Sequence, residues 1–252
     1  HPAEIGPEPV HFIWKPGKDI MNILQNAYKN GKLTLSEYES KQVLAAYEIP
    51  VTREYLAASE TEMRDAAARI GYPLVLKGCA EELAHKSEKG VVRVDIRNDE
   101  EAKAAFADIC DAMSAGGKSR VLVQEYLGGR RELVAGMIRD AQFGPSVMFG
   151  LGGILTEILN DVVFRVAPIT RADAMEMMDE IRGRRILDAV RGMEAVDRTA
   201  LADILVAIGR IGVDHPEIKE IDINPLIISD GRPVAVDALI GLAPKAEMQA
   251  ES

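Results

Sequence analysis

The sequence predicts an α+β protein folded in two lobes with mixed or antiparallel sheets. Strand-like and helix-like patterns alternate along most of the chain. Several neighbouring strand patterns are joined by connections too short for a crossover helix, which calls for antiparallel ladders rather than a doubly wound parallel sheet. A strand pattern over 121–127 then runs into Gly128 and Gly129, and the boundary between the lobes is expected there, between Gln124 and Gly129.

The elements follow in order. Residues 1–18 carry four prolines and read as an extended arm that Trp14 anchors. Ile20, Ile23, Leu24 and Ala27 recur at helical spacing until Asn30 and Gly31 stop the segment. A second helix starts at the cap Ser36, where Glu39 completes a capping box, and ends before Ile49 and Pro50. Glu60 to Ile70 is helical with Gly71 as its stop, and Pro73 to Lys77 is a short buried strand. Val91 to Ile96 alternates apolar and polar residues as a strand does, and Asp99 to Met113 carries one apolar face. The second half holds strands at 132–139, 146–149, 162–166, 219–223 and 233–237, with helices from Arg171 and from Arg198 to Ile211.

Composition excludes several classes. With 252 residues, 47% of them hydrophobic, the chain can bury a core. A net charge of −10 argues against a general nucleic-acid binder, which needs a basic face. Cys79 and Cys110 form no CxxC and have no histidine at ligand spacing, so neither a zinc site nor a disulfide scaffold is expected. With no apolar run of membrane-spanning length and no leader-like start, the expected location is cytoplasmic and no membrane partner is expected.

Two phosphate-binding patterns fail on inspection. AMSAGGKS at 112–119 has Ala112 where the first glycine of G-x-x-x-x-G-K-[ST] belongs, and it follows a helix instead of opening one. GLGGIL at 150–155 puts Leu155 in place of the third glycine of a dinucleotide fingerprint. What survives is a glycine loop, Gly150, Gly152 and Gly153, whose amides can approach an anion closely or simply form a tight turn.

Chemistry concentrates near the C-terminus. In EIDIN the strand period sends Glu220, Asp222 and Asn224 to one face and Ile221 and Ile223 to the other. A turn at Asp230 and Gly231 returns the chain to Asp237. Two carboxylates and an amide oxygen without basic partners suit a hard cation such as Mg²⁺; the plainer alternative is a solvated strand face. Lys77 closes an apolar strand and either snorkels to the surface or faces an anion. Gln124, Glu125, Tyr126 and Leu127 offer backbone groups to a flat base edge, and Glu132 can accept from a ribose hydroxyl. Together these describe a nucleotide held between two lobes. In EELAHKSEKG, His85 stands in a polar segment unlike the surroundings of a core histidine, whereas His1, His11 and His215 have no such context.

PLVLKG, HKSEKGVV, the long run from VQEYLGGRREL to FRVAPI, EIDINPLI and VAVDALI occur in one order. They resemble the ATP-grasp domain of nucleoside-diphosphate-forming acyl-CoA synthetases, in particular the β subunit of ADP-forming acetyl-CoA synthetase, a relative of succinyl-CoA synthetase β. The likeness covers about residues 34–242. It implies an ATP-grasp fold and the cofactors ATP or ADP and Mg²⁺. It also implies a reversible reaction in which acyl-CoA, ADP and phosphate give acid, CoA and ATP through phosphohistidine.

By that resemblance Lys77 contacts nucleotide phosphates, the backbone of 124–127 holds adenine and Glu132 holds ribose. Asn224 and Asp237 match the family's magnesium ligands, with Asp222 beside them, and the glycine loop, Gly152 and Gly153, is assigned to the nucleotide from its own amides. His85 stands where the acetyl-CoA synthetase branch has a phosphoryl-carrying histidine. A neutral imidazole is a competent nucleophile, and phosphoryl transfer needs chiefly alignment and charge neutralisation. The branch motif HKSDVGG reads HKSEKGV here, one glycine fewer and one positive charge more. The implied partner is a CoA-binding α subunit in a hetero-oligomer, α2β2 being one arrangement.

The corresponding division of the chain is 1–33, arm and short helix; 34–125, first lobe with the His85 loop; 126–242, second lobe with the metal site; and 243–252, tail. Two other readings remain at this stage: a stand-alone ATP-grasp carboxylate ligase, and a nucleotide-binding regulatory module without turnover.

Overall fold

The computed structural model describes residues 16–79, 92–113, 120–129, 131–153, 161–190 and 192–244. The His85 segment and most of the AMSAGGKS segment lie outside them. Six α-helices are described: α1 (Pro16–Lys29), α2 (Glu37–Ala46), α3 (Glu60–Ile70), α4 (Asp99–Met113), α5 (Arg171–Glu180) and α6 (Arg198–Asp214). The strands are β1 (Glu54–Ala57), β2 (Leu74–Cys79), β3 (Val92–Ile96), β4 (Arg120–Glu125), β5 (Glu132–Asp140), β6 (Gly144–Leu151), β7 (Val162–Val166), β8 (Ile218–Ser229), β9 (Arg232–Ala235) and β10 (Ala238–Leu242).

Two sheets result. The smaller has four strands in the order β1-β4-β2-β3, and the larger has six, in the order β10-β8-β5-β6-β7 with β9 paired to β8. Every ladder between these strands is antiparallel; short connections account for β5–β6 and β8–β9, whereas β1–β4, β2–β4 and β5–β8 join strands far apart in the chain. β8 is twelve residues long and divides its outer edge, its first half pairing β10 and its second half β9 across the Asp230-Gly231 turn.

Local signals explain most boundaries. Ser36 caps α2 with the expected capping box, and Thr170 caps α5 in the same way with Asp173 as the returning partner. Gly71 ends α3 at φ +87°, a conformation that costs any other residue strain. Pro16 and Gly17, read from sequence as part of the arm, lie in α1; proline is tolerated in a first turn because its missing N–H has no intrahelical acceptor there. β1 and β10 have no counterpart among the predicted elements. With four and five residues they are too short for periodicity to identify, and their partners in the sheets define them. The strand expected to reach Asp237 stops at Ala235, so Asp237 stands in the link between β9 and β10.

The two cores are separate. Met63, Ile70, Leu74, Leu76, Ile109 and Val123 are buried beneath the smaller sheet, with α3 and α4 over it. Beneath the larger sheet α6 covers Val147, Phe149, Ile221 and Ile223. Each such buried aliphatic side chain contributes roughly 1.5–3 kcal/mol. α1 and α2 share the larger core through Ile20, Leu24, Val43 and Leu44. Thus α2, which the sequence groups with the first lobe, packs its apolar side with the second. Segment 33–35 extends the edge of β10, with Leu242 N–H donating to Leu33 O and Leu35 N–H to Ile240 O.

Candidate functional site

Lys77 leaves β2 toward the larger sheet. Its Nζ lies 2.7 Å from Glu37 Oε1 and 3.7 Å from Asp237 Oδ2. Burial works against the ammonium, but Glu37, Asp237 and Glu54 hold its pKa above the ordinary lysine value. The same Glu37 oxygen accepts from Lys41 Nζ at 2.7 Å, one turn further along α2. Lys41 is 1% exposed, and its remaining partners are Glu54 Oε2 at 2.7 Å, Thr52 Oγ1 at 3.1 Å and Gln124 Oε1 at 3.2 Å. A buried ammonium is tolerable only with such saturation. Gln124 in turn donates from Nε2 to Val236 O at 3.3 Å, beside Asp237.

The carboxylate side is built by β8. Ile221 and Ile223 face the core at 2% and 0% exposure, and Asp222 and Asn224 face out, as the period-two pattern requires. Asn224 N–H donates to Asp237 O at 3.2 Å, so the link after β9 lies against β8. Burial, then the neighbouring charge of Glu220, raises the Asp222 carboxyl; burial, then Glu37, raises that of Asp237. Asp222, Asn224 and Asp237 are all oxygen donors, and two of them are carboxyls whose charge is disfavoured without a cation. That donor set fits Mg²⁺. One expectation is corrected: the set was read as free of basic partners, and Lys77 stands beside Asp237. Among the described residues no group of three or more His, Cys, Asp or Glu forms a metal cluster.

A second grouping forms at the start of β5. Gly152 N–H donates to Glu132 O at 2.8 Å, and a Cβ on Gly152 would lie 2.7 Å from the Glu132 carbonyl carbon. Gly153, at φ +61°, sits against the Glu132 carboxylate. Their lack of side chains therefore serves contact with β5, and it brings the ribose and glycine-loop candidates together. Beside them, buried Arg131 donates to Ile186 O and Asp188 O at 3.3 and 3.2 Å and to Glu194 O at 2.5 Å, tying the loop after α5 to the same strand end.

The proposed base-reading segment differs from expectation. The amides of Glu125 and Tyr126 are not free: they donate to Arg53 O at 3.0 Å and to Pro73 O at 3.1 Å. The Glu125 carboxylate receives Arg53 N–H and Nε at 2.8 and 2.7 Å, and the Gln124 side chain belongs to the Lys41 cluster. Leu127 is half-buried just beyond β4. Cavities of about 420 and 400 Å³ lie at the other end of α2, around Tyr47, Glu48 and Arg210, and contain none of the predicted site residues. His215 there is 8% exposed and meets Tyr47 Oη at 3.1 Å, a structural contact.

Glu37, Lys41 and Glu54 escaped the sequence reading. Glu37 and Lys41 are spaced i, i+4 on a helix, which ordinarily marks a solvated pair. The available signal was that Lys41 precedes Leu44 by three residues and so falls on the apolar stripe.

Comparison with known proteins is decisive here: the ATP-grasp domain matches over residues 26–242. The chain belongs to the ATP-grasp family. Among ATP-grasp relatives, subunit beta of acetate–CoA ligase [ADP-forming] I from Pyrococcus furiosus is 47% identical over 212 residues, covering 81% of this chain and 90% of that one. Subunit beta of the form II ligase from the same organism is 38% identical, covering 88% and 97%. A solved ATP-grasp structure, acetyl-coenzyme A synthetase 1 of Candidatus Korarchaeum cryptofilum with coenzyme A and Ca-AMPCP, superposes with a TM-score of 0.84 at 42% identity, covering 88% of this chain and 99% of that one. The fold is thus the ATP-grasp fold that the motifs implied. No helix among the described residues is long and apolar enough to cross a membrane.

Proposed function

We propose that this chain is the nucleotide-binding β subunit of an ADP-forming acyl-CoA synthetase, with acetate the first acid to test. It would work in the cytoplasm with a CoA-binding α subunit, in an α2β2 arrangement. The overall reaction converts acyl-CoA, ADP and phosphate into the free acid, CoA and ATP. In the step assigned to this chain, the N–P bond of phosphorylated His85 breaks and a terminal oxygen of ADP forms the new P–O bond. With its other ring nitrogen protonated, the ring takes back the N–P electron pair and leaves as neutral imidazole. Lys77 offsets phosphate charge, Glu132 accepts from ribose, the 124–127 backbone borders the base, and Gly152 and Gly153 leave room beside them. Asp222, Asn224 and Asp237 would hold Mg²⁺, which supplies charge neutralisation at the phosphate oxygens.

One observation carries this reading: Lys77 of the smaller sheet meets the Asp237 carboxylate, in the link between β9 and β10, and the Asp237 carbonyl accepts from Asn224 N–H of β8. An ammonium from one sheet and oxygen donors from the other together match a magnesium polyphosphate. The family relatives support it, and one solved state of the Korarchaeum enzyme contains Mg-AMPPCP with its phosphohistidine segment pointing towards the nucleotide site.

The test is reconstitution. Acetyl-CoA-dependent ATP formation is expected only when chain and α subunit are combined, and His85→Asn should abolish it while Mg-ADP binding persists. Full activity in that variant removes the carrier role. Turnover of a carboxylate by the chain alone points to the ligase, and absence of nucleotide binding points to the regulatory module.

A further inference from the structure

The ion pairs around Glu37 have an asymmetry that the phosphate role of Lys77 leaves unexplained. Glu37 Oε1 is 2.7 Å from two ammoniums at once. One, Lys41, is on the same helix, 1% exposed and fixed by Glu54, Thr52 and Gln124. The other, Lys77, is on the smaller sheet and reaches into the cleft toward Asp237. Glu37 can therefore lose Lys77 and keep an ammonium at 2.7 Å, one that it shares with Glu54. Lys77, at 13% side-chain exposure, is left with the more distant Asp237 carboxylate at 3.7 Å when it loses Glu37, so a closer anion is favoured in its place.

We propose that Glu37 is a positioning residue that holds Lys77 in place of phosphate in the empty cleft, and that Lys41 keeps Glu37 compensated when Lys77 transfers to the nucleotide. The site then exchanges one anion for another at a single lysine, and no buried charge is left alone at either stage. The inference rests on the reading that Lys77 meets nucleotide phosphates. It adds what holds the lysine beforehand, and why a fully buried lysine stands behind it.

The two members of the Glu37–Lys41 pair then have opposite effects on ligand binding. Glu37→Gln removes the competing anion, and Lys77 is free for phosphate. Lys41→Met leaves Glu37 with Lys77 as its sole ammonium, and phosphate must break that pair and strand a carboxylate. Titration calorimetry of the full chain with ADP, with and without Mg²⁺, reads this directly. Glu37→Gln should bind ADP about two- to fivefold more tightly than the parent, the range of a partly exposed ion pair. Lys41→Met should bind it roughly tenfold more weakly, and Lys41→Arg should recover part of the loss.

A purely structural pair would weaken binding in both variants, and that result overturns the proposal. If Lys41→Met does not fold, weaker or unchanged binding in Glu37→Gln overturns it alone. Lys77→Met separates the two levels. Loss of affinity there with no opposite shifts at Glu37 and Lys41 sinks the exchange and spares the phosphate role; parental affinity in Lys77→Met sinks the phosphate role and the exchange with it.

Discussion

The two sides of the cleft handle charge differently. On the lysine side two ammoniums, Lys41 and Lys77, face Glu37, Glu54 and Asp237 at short range, so each cation has its anion before any ligand arrives. On the β8 side Asp222 and Glu220 stand two residues apart on one face, and the Asp222 carboxyl is raised by burial and then by Glu220. One side is pre-paired and the other is short of a cation. The difference teaches where ligand specificity arises. The lysine side exchanges partners, whereas the carboxylate side gains one, so magnesium dependence should map to β8 and phosphate affinity to β2.

Substitutions can break this division. The largest effect is expected from Lys77→Met, about 10- to 100-fold weaker ADP binding with Mg²⁺, the scale of a charged hydrogen bond lost from a partly buried site. Next, Asp222→Asn should reduce by about tenfold the gain in ADP affinity that Mg²⁺ confers and leave magnesium-free binding nearly unchanged. Equal losses with and without the metal would erase the distinction between the two sides.

A smaller effect concerns stability. Burial raises the Glu54 carboxyl from its reference of 4.5 despite Lys41. A raised folded-state pKa means the folded protein holds this proton more tightly than the unfolded chain does. The resulting stability is complete below about 4.5 and is lost as pH rises through the folded value. Relative to Glu54→Gln, the parent should therefore be more favoured at pH 4 than at pH 7 in denaturant titrations. A difference that grows toward neutrality would show that Lys41 outweighs burial.

The smallest effect is chemical. Cys79, two residues beyond Lys77, has its thiol pushed up to about 12 by burial, then by Glu37 and Glu54. It should resist iodoacetamide at pH 8 on a time scale at which a free thiol is consumed, as followed by mass spectrometry. Glu37→Gln should speed its modification.

Much of this arrangement was legible in the sequence, for identifiable reasons. EIDIN places its acids correctly because strand geometry sends alternate residues to opposite faces, and the Asp230-Gly231 turn folds Arg232 back opposite Ser229. The capping box at Ser36 and the glycine stop at Gly71 are local and hold in the fold. Long-range placement was not legible. Nothing local says that Tyr126 N–H is taken by Pro73, or that Gln124 turns its side chain to Lys41. α2 was grouped by chain order with the strands that follow it, but its apolar side packs with α1 in the larger core. The glycine loop was read as amides facing an anion, and packing against the start of β5 accounts for both Gly152 and Gly153.

Arg131 bonds three carbonyls between 186 and 194 from the position next to Glu132, and Ile228 N–H bonds its own carbonyl at 3.1 Å. The loop after α5 is thereby bolted to the end of β5 that pairs β8. Hydrogen exchange at the Ile228 amide should follow opening of β5 and β8 rather than local fraying. The carboxylate proposed for the sugar would then keep its place until that whole unit gives way.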